Sequence, residues 1–217
     1  SGALYDFGAS FDCRSKCAPG QYGSCHALDA CWSCDMRQCS LCPPGTFREE
    51  EGAVVYAECL ECPEGAVASD PGTPSCAVCP AGKYAADDDE IGQEDGLGVS
   101  TAGTRCISCP AGRKAGKEGS VACDACGGGE SSVAGATGCF LCSTGKYADT
   151  QASVSCKECP GGREATTQGS TACVSCGPGK SAVPGESCVS CRAGTYADKI
   201  TSTECLTCSS GRFSSEE

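Results

Sequence analysis

The apolar residues of this chain follow neither the spacing of a helix nor the alternation of a long strand. From Cys39 onward, ten C-x-x-C pairs recur every 15 to 20 residues, with one interval of 30 between Cys76 and Cys106. A glycine follows six residues after the first cysteine of every pair, and seven to ten polar or small residues separate each repeat from the next. This pattern predicts a tandem array of one small module.

The segment after each cysteine pair has the composition of a turn. In Cys42 to Gly45 and Cys159 to Gly162 the order is Cys-Pro-x-Gly, in which proline sets φ at the second position of the turn and glycine closes the turn. An aromatic residue is frequent two positions after the glycine. We therefore predict a tight turn that opens a short two-stranded hairpin in each module, with essentially no helix.

Composition excludes an ordinary hydrophobic core. Leu, Ile, Val and Phe together number 26 of 217 residues, and the net charge is -12, so apolar burial alone would not offset the entropy of the chain. The 25 cysteines supply the alternative, because a disulfide that closes a loop of about 15 residues contributes roughly 3 kcal/mol. Disulfides at this density form in oxidising compartments, so the expected location is extracellular or the cell surface, reached through the secretory pathway.

The charge of the chain and its apolar and glycosylation motifs restrict the classes of partner and modification that we expect. With 28 acidic and 16 basic side chains, the chain is not expected to bind nucleic acid or anionic lipid. No apolar run approaches the roughly 20 residues of a membrane span, so we expect no membrane insertion by this segment. Because no signal peptide precedes Ser1, we expect a processed or cropped piece of a longer protein. The sequence has no asparagine, which excludes N-linked glycans, whereas its Ser and Thr residues allow O-linked sugars.

The cysteines allow three bonding schemes. Bonds within each C-x-x-C pair would leave the modules unconnected and strained. An interlocked scheme would join first to first and second to second cysteines, as in Cys139 to Cys156 and Cys142 to Cys159. A ladder would instead join the second cysteine of one pair to the first of the next: Cys42 to Cys59, Cys62 to Cys76, Cys79 to Cys106, Cys109 to Cys123, Cys126 to Cys139, Cys142 to Cys156, Cys159 to Cys173, Cys176 to Cys188 and Cys191 to Cys205.

The number of cysteines favours the ladder, although loop entropy scarcely separates it from the interlocked scheme. The ladder places the partner of Cys208 in a further unit and leaves an even set of six cysteines of undetermined connectivity at the N-terminus: Cys13, Cys17, Cys25, Cys31, Cys34 and Cys39. The interlocked scheme leaves an odd set of seven upstream.

The motif C-x-x-C-P-x-G-x-Y, followed by a loop and another C-x-x-C, resembles the ephrin-receptor-like cysteine-rich repeat and the single-disulfide module of the TNF-receptor family. The resemblance covers residues 39–217. For both families it implies an elongated rod built from hairpins, and for the TNF-receptor-like module it implies the ladder of disulfides. Departures occur where the proline is missing, as at Gly127 and Ser143, and where the aromatic is missing, as at Lys114 and Ser131.

The sequence of the array also has a period that is longer than one module. The position two residues after the glycine holds a tyrosine in every third unit, at Tyr84, Tyr147 and Tyr196, and unit starts Cys106 and Cys156 lie 50 residues apart. Duplication of a three-module unit explains this period. A sharper hypothesis is that three modules complete one twist of the rod and present these tyrosines to a protein partner.

The sequence indicates no catalytic, cofactor or metal site. Zinc bound by Cys139, Cys142, Cys156 and Cys159 is the main rival to disulfides, but an evenly spaced array has no natural grouping into fours. Redox catalysis lacks its βαβ setting, and a hydrolytic triad would depend on one histidine, His26. Both His26 and Trp32, which lies inside an N-terminal C-W-S-C, are expected to be structural.

An acidic insertion interrupts the array at residues 85–105. It contains six carboxylates, at Asp87, Asp88, Asp89, Glu90, Glu94 and Asp95, and several glycines. A solvated loop is the expected structure, since the order of its carboxylates does not fit an EF-hand, and calcium binding stays open.

These observations predict two regions: an irregular cysteine-rich N-terminal segment at 1–38, and a tandem array of about ten repeats of ~17 residues at 39–217. The expected function is that of a non-enzymatic extracellular structural or adhesive protein, a disulfide-laddered rod in a cell-surface filament, coat or ciliary hair assembly. Its partners would be other proteins, either copies of itself or other components of that assembly. The alternative is the ectodomain of a cell-surface receptor that binds a protein ligand.

Overall fold

A computed structural model describes residues 17–23, 39–52, 58–86 and 103–212. These residues form no α-helix, and their twenty short strands pair into ten separate two-stranded antiparallel sheets. Each sheet is a hairpin of two strands that are consecutive in the chain. The predicted fold class, a small disulfide-rich array of hairpins, is confirmed.

The strands are two to four residues long. In chain order they are β1 Gln21–Gly23, β2 Cys39–Leu41, β3 Thr46–Phe47, β4 Leu60–Glu61, β5 Ala66–Val67, β6 Ala77–Val78, β7 Lys83–Ala86, β8 Arg105–Ser108, β9 Arg113–Lys114, β10 Asp124–Ala125, β11 Glu130–Ser131, β12 Phe140–Leu141, β13 Lys146–Tyr147, β14 Lys157–Glu158, β15 Arg163–Glu164, β16 Val174–Ser175, β17 Lys180–Ser181, β18 Val189–Ser190, β19 Thr195–Tyr196 and β20 Leu206–Thr207.

Each hairpin, with the turn before it, is one module. Module 1 begins at Cys17, and every later module begins at the second cysteine of a C-x-x-C pair. Each module ends just before the second cysteine of the next pair. Modules 1 to 10 therefore span 17–41, 42–61, 62–78, 79–108, 109–125, 126–141, 142–158, 159–175, 176–190 and 191–207.

A tight turn opens every module, but it begins one residue later than the Cys-Pro-x-Gly motif predicted, so that proline is its first residue and glycine its third. In module 5 the N–H of Arg113 donates to the carbonyl of Pro110, and the intervening Gly112 has a φ of 85°. This is the geometry of a type II turn, whose third residue requires a positive φ and hence favours glycine. Module 6 makes the same bond from Glu130 to Gly127, so the missing proline does not change the turn.

The disulfides form a ladder, with one rung in each module. Nine bonds have the pairing that the ladder scheme gives: Cys42–Cys59, Cys62–Cys76, Cys79–Cys106, Cys109–Cys123, Cys126–Cys139, Cys142–Cys156, Cys159–Cys173, Cys176–Cys188 and Cys191–Cys205. The interlocked scheme is therefore not the one in the structure. Each rung joins the start of a module's turn to the end of its hairpin loop.

The ladder begins earlier in the chain than the C-x-x-C pattern predicts. Cys39, whose partner was left undetermined, is bonded to Cys17, and β1 pairs with β2 to make a complete hairpin. Part of the segment at 1–38 that was expected to be irregular is therefore a module like the others. The connectivity of Cys13, Cys25, Cys31 and Cys34 lies outside the described residues.

Cysteine and alanine take the place of a hydrophobic core. The largest fully buried side chains are all cysteines that open a module, such as Cys79, Cys109 and Cys142. The other recurrent buried residue is an alanine three positions after the turn glycine: Ala68, Ala85, Ala115, Ala148, Ala165, Ala182 and Ala197, with Ser132 in module 6. Small side chains at this position allow neighbouring backbones to approach closely.

Each module is hydrogen-bonded to the next through this buried position. The N–H of the turn glycine donates to the carbonyl of the buried residue in the following module, as in Gly129 to Ala148 and Gly145 to Ala165. A second bond runs in the opposite sense, from the N–H of a loop residue to the carbonyl of the cysteine that opens the preceding module, as in Gly169 to Cys142. Successive modules are thus joined by backbone bonds rather than tethered by flexible linkers.

Modules that are two positions apart in the array are also in direct contact. A Cβ atom placed on a turn glycine would overlap the carbonyl oxygen of a loop residue two modules further on. The contacts pair Gly20 with Gly72, Gly65 with Gly119, Gly82 with Gly135, Gly112 with Ala152, Gly129 with Gly169, Gly145 with Gly185 and Gly162 with Thr201. Because the contacts are local in sequence, the array grows in length with each added module.

The acidic insertion belongs to the hairpin loop of module 4. Its acidic residues lie outside the described residues, but strands β7 and β8 pair in register on either side of it, with Ala86 opposite Arg105. The Cys79–Cys106 bond closes module 4 although its cysteines are 27 residues apart, compared with 12 to 22 in the other rungs. The insertion therefore lengthens one loop and leaves the ladder intact.

Candidate interaction surface

The surface of each hairpin is defined by one cross-strand pair. The residue two positions after the turn glycine lies opposite the first residue inside the next C-x-x-C pair, as in Tyr84 with Ile107, Tyr147 with Lys157 and Tyr196 with Leu206. Paired side chains in an antiparallel sheet lie on the same face, so these two positions decide the chemistry of one face of every module.

Tyr84 is a core residue and not a surface contact. Only 7% of it is exposed, and it packs against Ile107, Ala115 and the Cys109–Cys123 disulfide of module 5. The next module covers the Tyr84 ring, so this tyrosine has little surface left for a partner, and partner contact by the three tyrosines stays a prediction.

Tyr147 is half-buried and lies within a charged group. The ammonium of Lys157 stands 6.0 Å from the centre of the Tyr147 ring, and it also donates to Asp149 Oδ1 at 2.8 Å. The hydrogen bond from Lys157 lowers the pKa of the Asp149 carboxyl, and the same bond raises the pKa of Lys157. On the opposite face of this hairpin, Lys146 pairs with Glu158 at 3.5 Å.

Tyr196 is the most exposed of the three, with 41% of its surface accessible. In other modules this position contacts the disulfide of the following module. Ser131 Oγ lies 3.4 Å from Cys156 Sγ, and Ser181 Oγ lies 3.3 Å from Cys205 Sγ. The three-unit period of tyrosine thus falls on a position that packs between modules.

The described residues offer one group with the geometry of metal ligands, formed by Cys126, Glu130 and Cys139. Cys126 and Cys139 are bonded to each other, so neither sulfur is a thiolate, and Glu130 accepts a hydrogen bond from the N–H of Gly127. The four cysteines considered for zinc, at 139, 142, 156 and 159, all belong to ladder rungs. His26, Trp32 and the carboxylates of the insertion lie outside the described residues.

Exposed apolar side chains are common on the hairpins. Among the larger ones are Leu60, Phe140, Leu141, Val174, Val189 and Leu206. Several lie inside C-x-x-C pairs, where adjacent cysteines hold the strand in place. Exposed apolar side chains mark sites of protein–protein contact where they form a contiguous patch that is not covered within the molecule.

Charge is distributed unevenly along the chain. Residues 1–105 carry 17 acidic and 6 basic side chains, whereas residues 106–212 carry 9 acidic and 10 basic. The net charge of -12 thus arises almost entirely outside the second half of the array. An interface formed by that half would meet little electrostatic repulsion from a similar surface.

Two positions that build the array were not predicted from the sequence. One is the buried small residue after the turn, and the other is a second recurring glycine, at positions such as Gly119, Gly135 and Gly169, which has a positive φ and packs against the module two before it. The buried small residue lies three positions after the turn glycine, and the second glycine lies six or seven positions after it. A search for recurring small residues, rather than for cysteines and aromatics, would have found them.

None of the residues that the structure describes lies in a helix of the length and apolarity that crossing a membrane requires. No curated protein matches the chain. The family model described as tyrosine-protein kinase ephrin type A/B receptor-like matches residues 35–75 and 179–217. The matched segments contain the hairpin of module 2 and that of module 10, each closed by a rung of the ladder. This family is a non-catalytic repeat of extracellular type, and its match confirms the resemblance at 35–75 and 179–217: the chain carries ephrin-receptor-like cysteine-rich repeats.

Proposed function

We propose that this chain is a structural or adhesive rod of a cell-surface assembly such as a filament, a coat or a ciliary hair. The observation that carries the proposal is the contact between modules two positions apart, as between Gly129 and Gly169. Together with the backbone bonds to the adjacent module, it couples the movement of a module such as module 6 to that of the two modules that follow it. A stiff spacer of defined length is the expected product.

The composition of the rod supports the same function. Its core consists of disulfides and alanines, which resist unfolding in an oxidising medium without a large hydrophobic centre. The described residues bring together no catalytic group, and the ephrin-receptor-like repeat is of the non-catalytic extracellular type. The function therefore consists of holding surfaces at a distance and in register rather than of chemistry.

In this proposal the chain consists of the rod itself and one accessory loop. The tandem array extends from Cys17 rather than from residue 39, and the acidic insertion at 85–105 is an accessory loop on module 4. Secretion places the array outside the cell, where its disulfides persist. The partners are other proteins of the same assembly, including further copies of this chain.

A receptor ectodomain is the second candidate, because the matching family model is described from a receptor. In that case the array would position a ligand-binding surface away from the membrane. Tyr196 of module 10, which is exposed, and Tyr147 of module 7, which is half-buried, are the tyrosines available to such a ligand.

Cross-linking on intact cells separates the two functions. Cells that express the protein are treated with an amine-reactive cross-linker, fractionated in mild detergent, and the linked partners are identified by mass spectrometry. We expect the protein to remain in the insoluble surface fraction and to be linked to other structural proteins or to itself. Complete extraction by mild detergent, with linkage to a soluble ligand, would contradict the structural function and support the receptor.

A further inference from the structure

Two routes of covalent bonds connect the ends of every module. In module 5 the backbone runs from Cys109 through the turn and the hairpin to Cys123, 14 residues later, whereas the disulfide joins the same two residues across a Cα–Cα distance of 5.7 Å. From Cys123 the chain needs only two further residues to reach Cys126, which opens module 6. The disulfide is therefore the shorter route through the module.

The shorter routes of successive modules join into one continuous path from Cys17 to Cys205, which we call the disulfide path. It alternates a rung of the ladder with the two residues inside a C-x-x-C pair. The Cα–Cα distances of the rungs are 5.4 to 5.8 Å, and the two residues inside each pair lie in the second strand of a hairpin. Because a disulfide spans little more than this and a strand is extended backbone, each segment of the path is already close to its full length.

The length of this path is constant from module to module, whereas the length of the hairpin loops is not. The two cysteines of a pair are three positions apart in all ten pairs from Cys39 onward. The rungs join cysteines that are 12 to 27 residues apart, and the longest of these intervals contains the acidic insertion. The differences in length between modules therefore lie in loops that the rungs close and that the disulfide path leaves out.

We propose that the array bears tension between its two ends, and that the disulfide path rather than the hairpins carries this tension. A pull straightens the shorter route through each module first, so the backbone route through the turn and hairpin stays slack. Contacts between modules can yield, but extension then stops at the length of the path. The inference deepens the proposed structural function, on which it rests for the source of the pull.

The disulfide path sets a limit to the extension of the array. A rung and the three peptide units that follow it span at most about 17 Å, so the ten modules between Cys17 and Cys205 reach at most about 160 Å. The same residues as an open chain would reach about 650 Å. The rungs thus reduce the greatest extension about fourfold.

Stretching of single oxidised chains of 217 residues, between handles on the two termini, tests the inference. The force is raised until hydrogen-bonded hairpins open while covalent bonds stay intact. The native chain should stop extending at the limit of the disulfide path. The variant Cys109→Ser/Cys123→Ser releases a 14-residue interval and should extend about 45 Å further. Cys79→Ser/Cys106→Ser releases 27 residues and should extend about 90 Å further.

Gly129→Ala is the matched control, because it disturbs the contact between modules 6 and 8 and removes no rung. It should lower the force at which the array begins to extend and leave the greatest extension unchanged. The same greatest extension in the native chain and in both rung variants would overturn the proposal. Extension of the oxidised native chain beyond the limit of the path would overturn it as well.

Reduction under tension gives a second readout that does not depend on how the serine variants fold. When a thiol reductant is added to a native chain that is held stretched, each rung that opens should lengthen the chain by a step of about 35 to 90 Å. Complete reduction without such steps would show that tension does not pass through the rungs. The proposed function fails separately, by extraction into mild detergent with a soluble ligand, and an array whose extension does not depend on its rungs would leave that function standing.

Discussion

Gly129 lies directly beneath the carbonyl group of Gly169, a residue 40 positions later in the chain and two modules further along the array. The approach is so close that a Cβ atom on Gly129 would overlap the carbonyl oxygen. Glycine is thus required at this turn for two separate reasons, since its φ of 80° also disfavours any other residue.

Substitution of two turn glycines separates these reasons. Gly129 and Gly194 have φ values of 80° and 82°, but nothing lies within 4 Å of a Cβ atom on Gly194. Gly194→Ala should cost only the backbone strain of about 1–2 kcal/mol. Gly129→Ala should in addition displace module 8 and weaken the bond from Gly169 N–H to the carbonyl of Cys142.

Amide hydrogen exchange at Gly169 measures the difference. We expect at least tenfold faster exchange in Gly129→Ala, and an unchanged rate in Gly194→Ala. Equal exchange rates at Gly169 in the two variants would show that the contact between modules two positions apart does not stabilise the array.

The buried alanines should not tolerate larger residues. Ala148 has no exposed surface, whereas Ala77 is exposed on the second strand of module 3. Ala148→Leu should therefore destabilise its region by about 1–3 kcal/mol through overpacking, and Ala77→Leu should be close to neutral. The midpoint of urea unfolding of the oxidised chain provides the measurement, and a native midpoint for Ala148→Leu would contradict the packing described.

Module 4 should form without its insertion. Replacing residues 87–102 by Asn-Gly leaves both strands and the bond from Ala68 N–H to the carbonyl of Gly103 in place. Because loop-closure entropy varies slowly with length, stability should change by no more than about 1 kcal/mol, and Cys79 should still bond to Cys106.

A loop replacement in module 7 is the matched control. Exchanging residues 150–153 for Asn-Gly removes Ala152, whose N–H donates to the carbonyl of Cys126 in the preceding module. This variant should have a lower thermal midpoint than the native chain. If the module 4 variant lost as much stability as this control, the insertion would be an essential part of the array.

The ion pair of module 7 should show a defined pH dependence. The pKa of Asp149 is lowered by the hydrogen bond from Lys157, so the stabilising interaction exists above the ordinary aspartate pKa and is lost as pH falls through the lowered value. The pKa of Lys157 is raised by the same bond, so the interaction is lost again when pH rises through that raised value. The pair therefore persists across the neutral range.

Titration of the Lys157 ammonium by NMR tests this coupling. Asp149→Asn should shift the pKa of Lys157 downward, toward that of an ordinary lysine. Asp198→Asn, which alters the position equivalent to Asp149 in module 10, should leave it unchanged. Since the pair is exposed, neither variant is expected to change the unfolding midpoint measurably.

The local structure of the array could be predicted from its sequence, because each determinant lies within one repeat. Cys159, Pro160 and Gly162 specify the turn by themselves, and the number of cysteines favoured the ladder over the interlocked pairing. The module that begins at Cys17 was missed because Cys13 precedes it by four residues rather than three, so no C-x-x-C pair marks its start. The spacing from Cys17 to Gly20 and Tyr22 was the remaining signal.

The contacts between modules could not be predicted from the cysteine pattern. Gly129 and Gly169 are paired by the geometry of the stack, which the spacing of cysteines does not encode. For the same reason the tyrosine period suggested an outward face, although Tyr84 is buried against the disulfide of module 5. Which side of a strand faces solvent depends on where the following module lies.

Disulfide mapping tests the central claim most directly, namely that one rung closes each module and the C-x-x-C pairs are boundaries between modules. The chain is alkylated without reduction, digested, and its linked peptides are identified by mass spectrometry. The structure predicts peptides that join Cys126 to Cys139 and Cys142 to Cys156. Peptides that join Cys139 to Cys156, bonds within a C-x-x-C pair, or thiols released only by a chelator would contradict it.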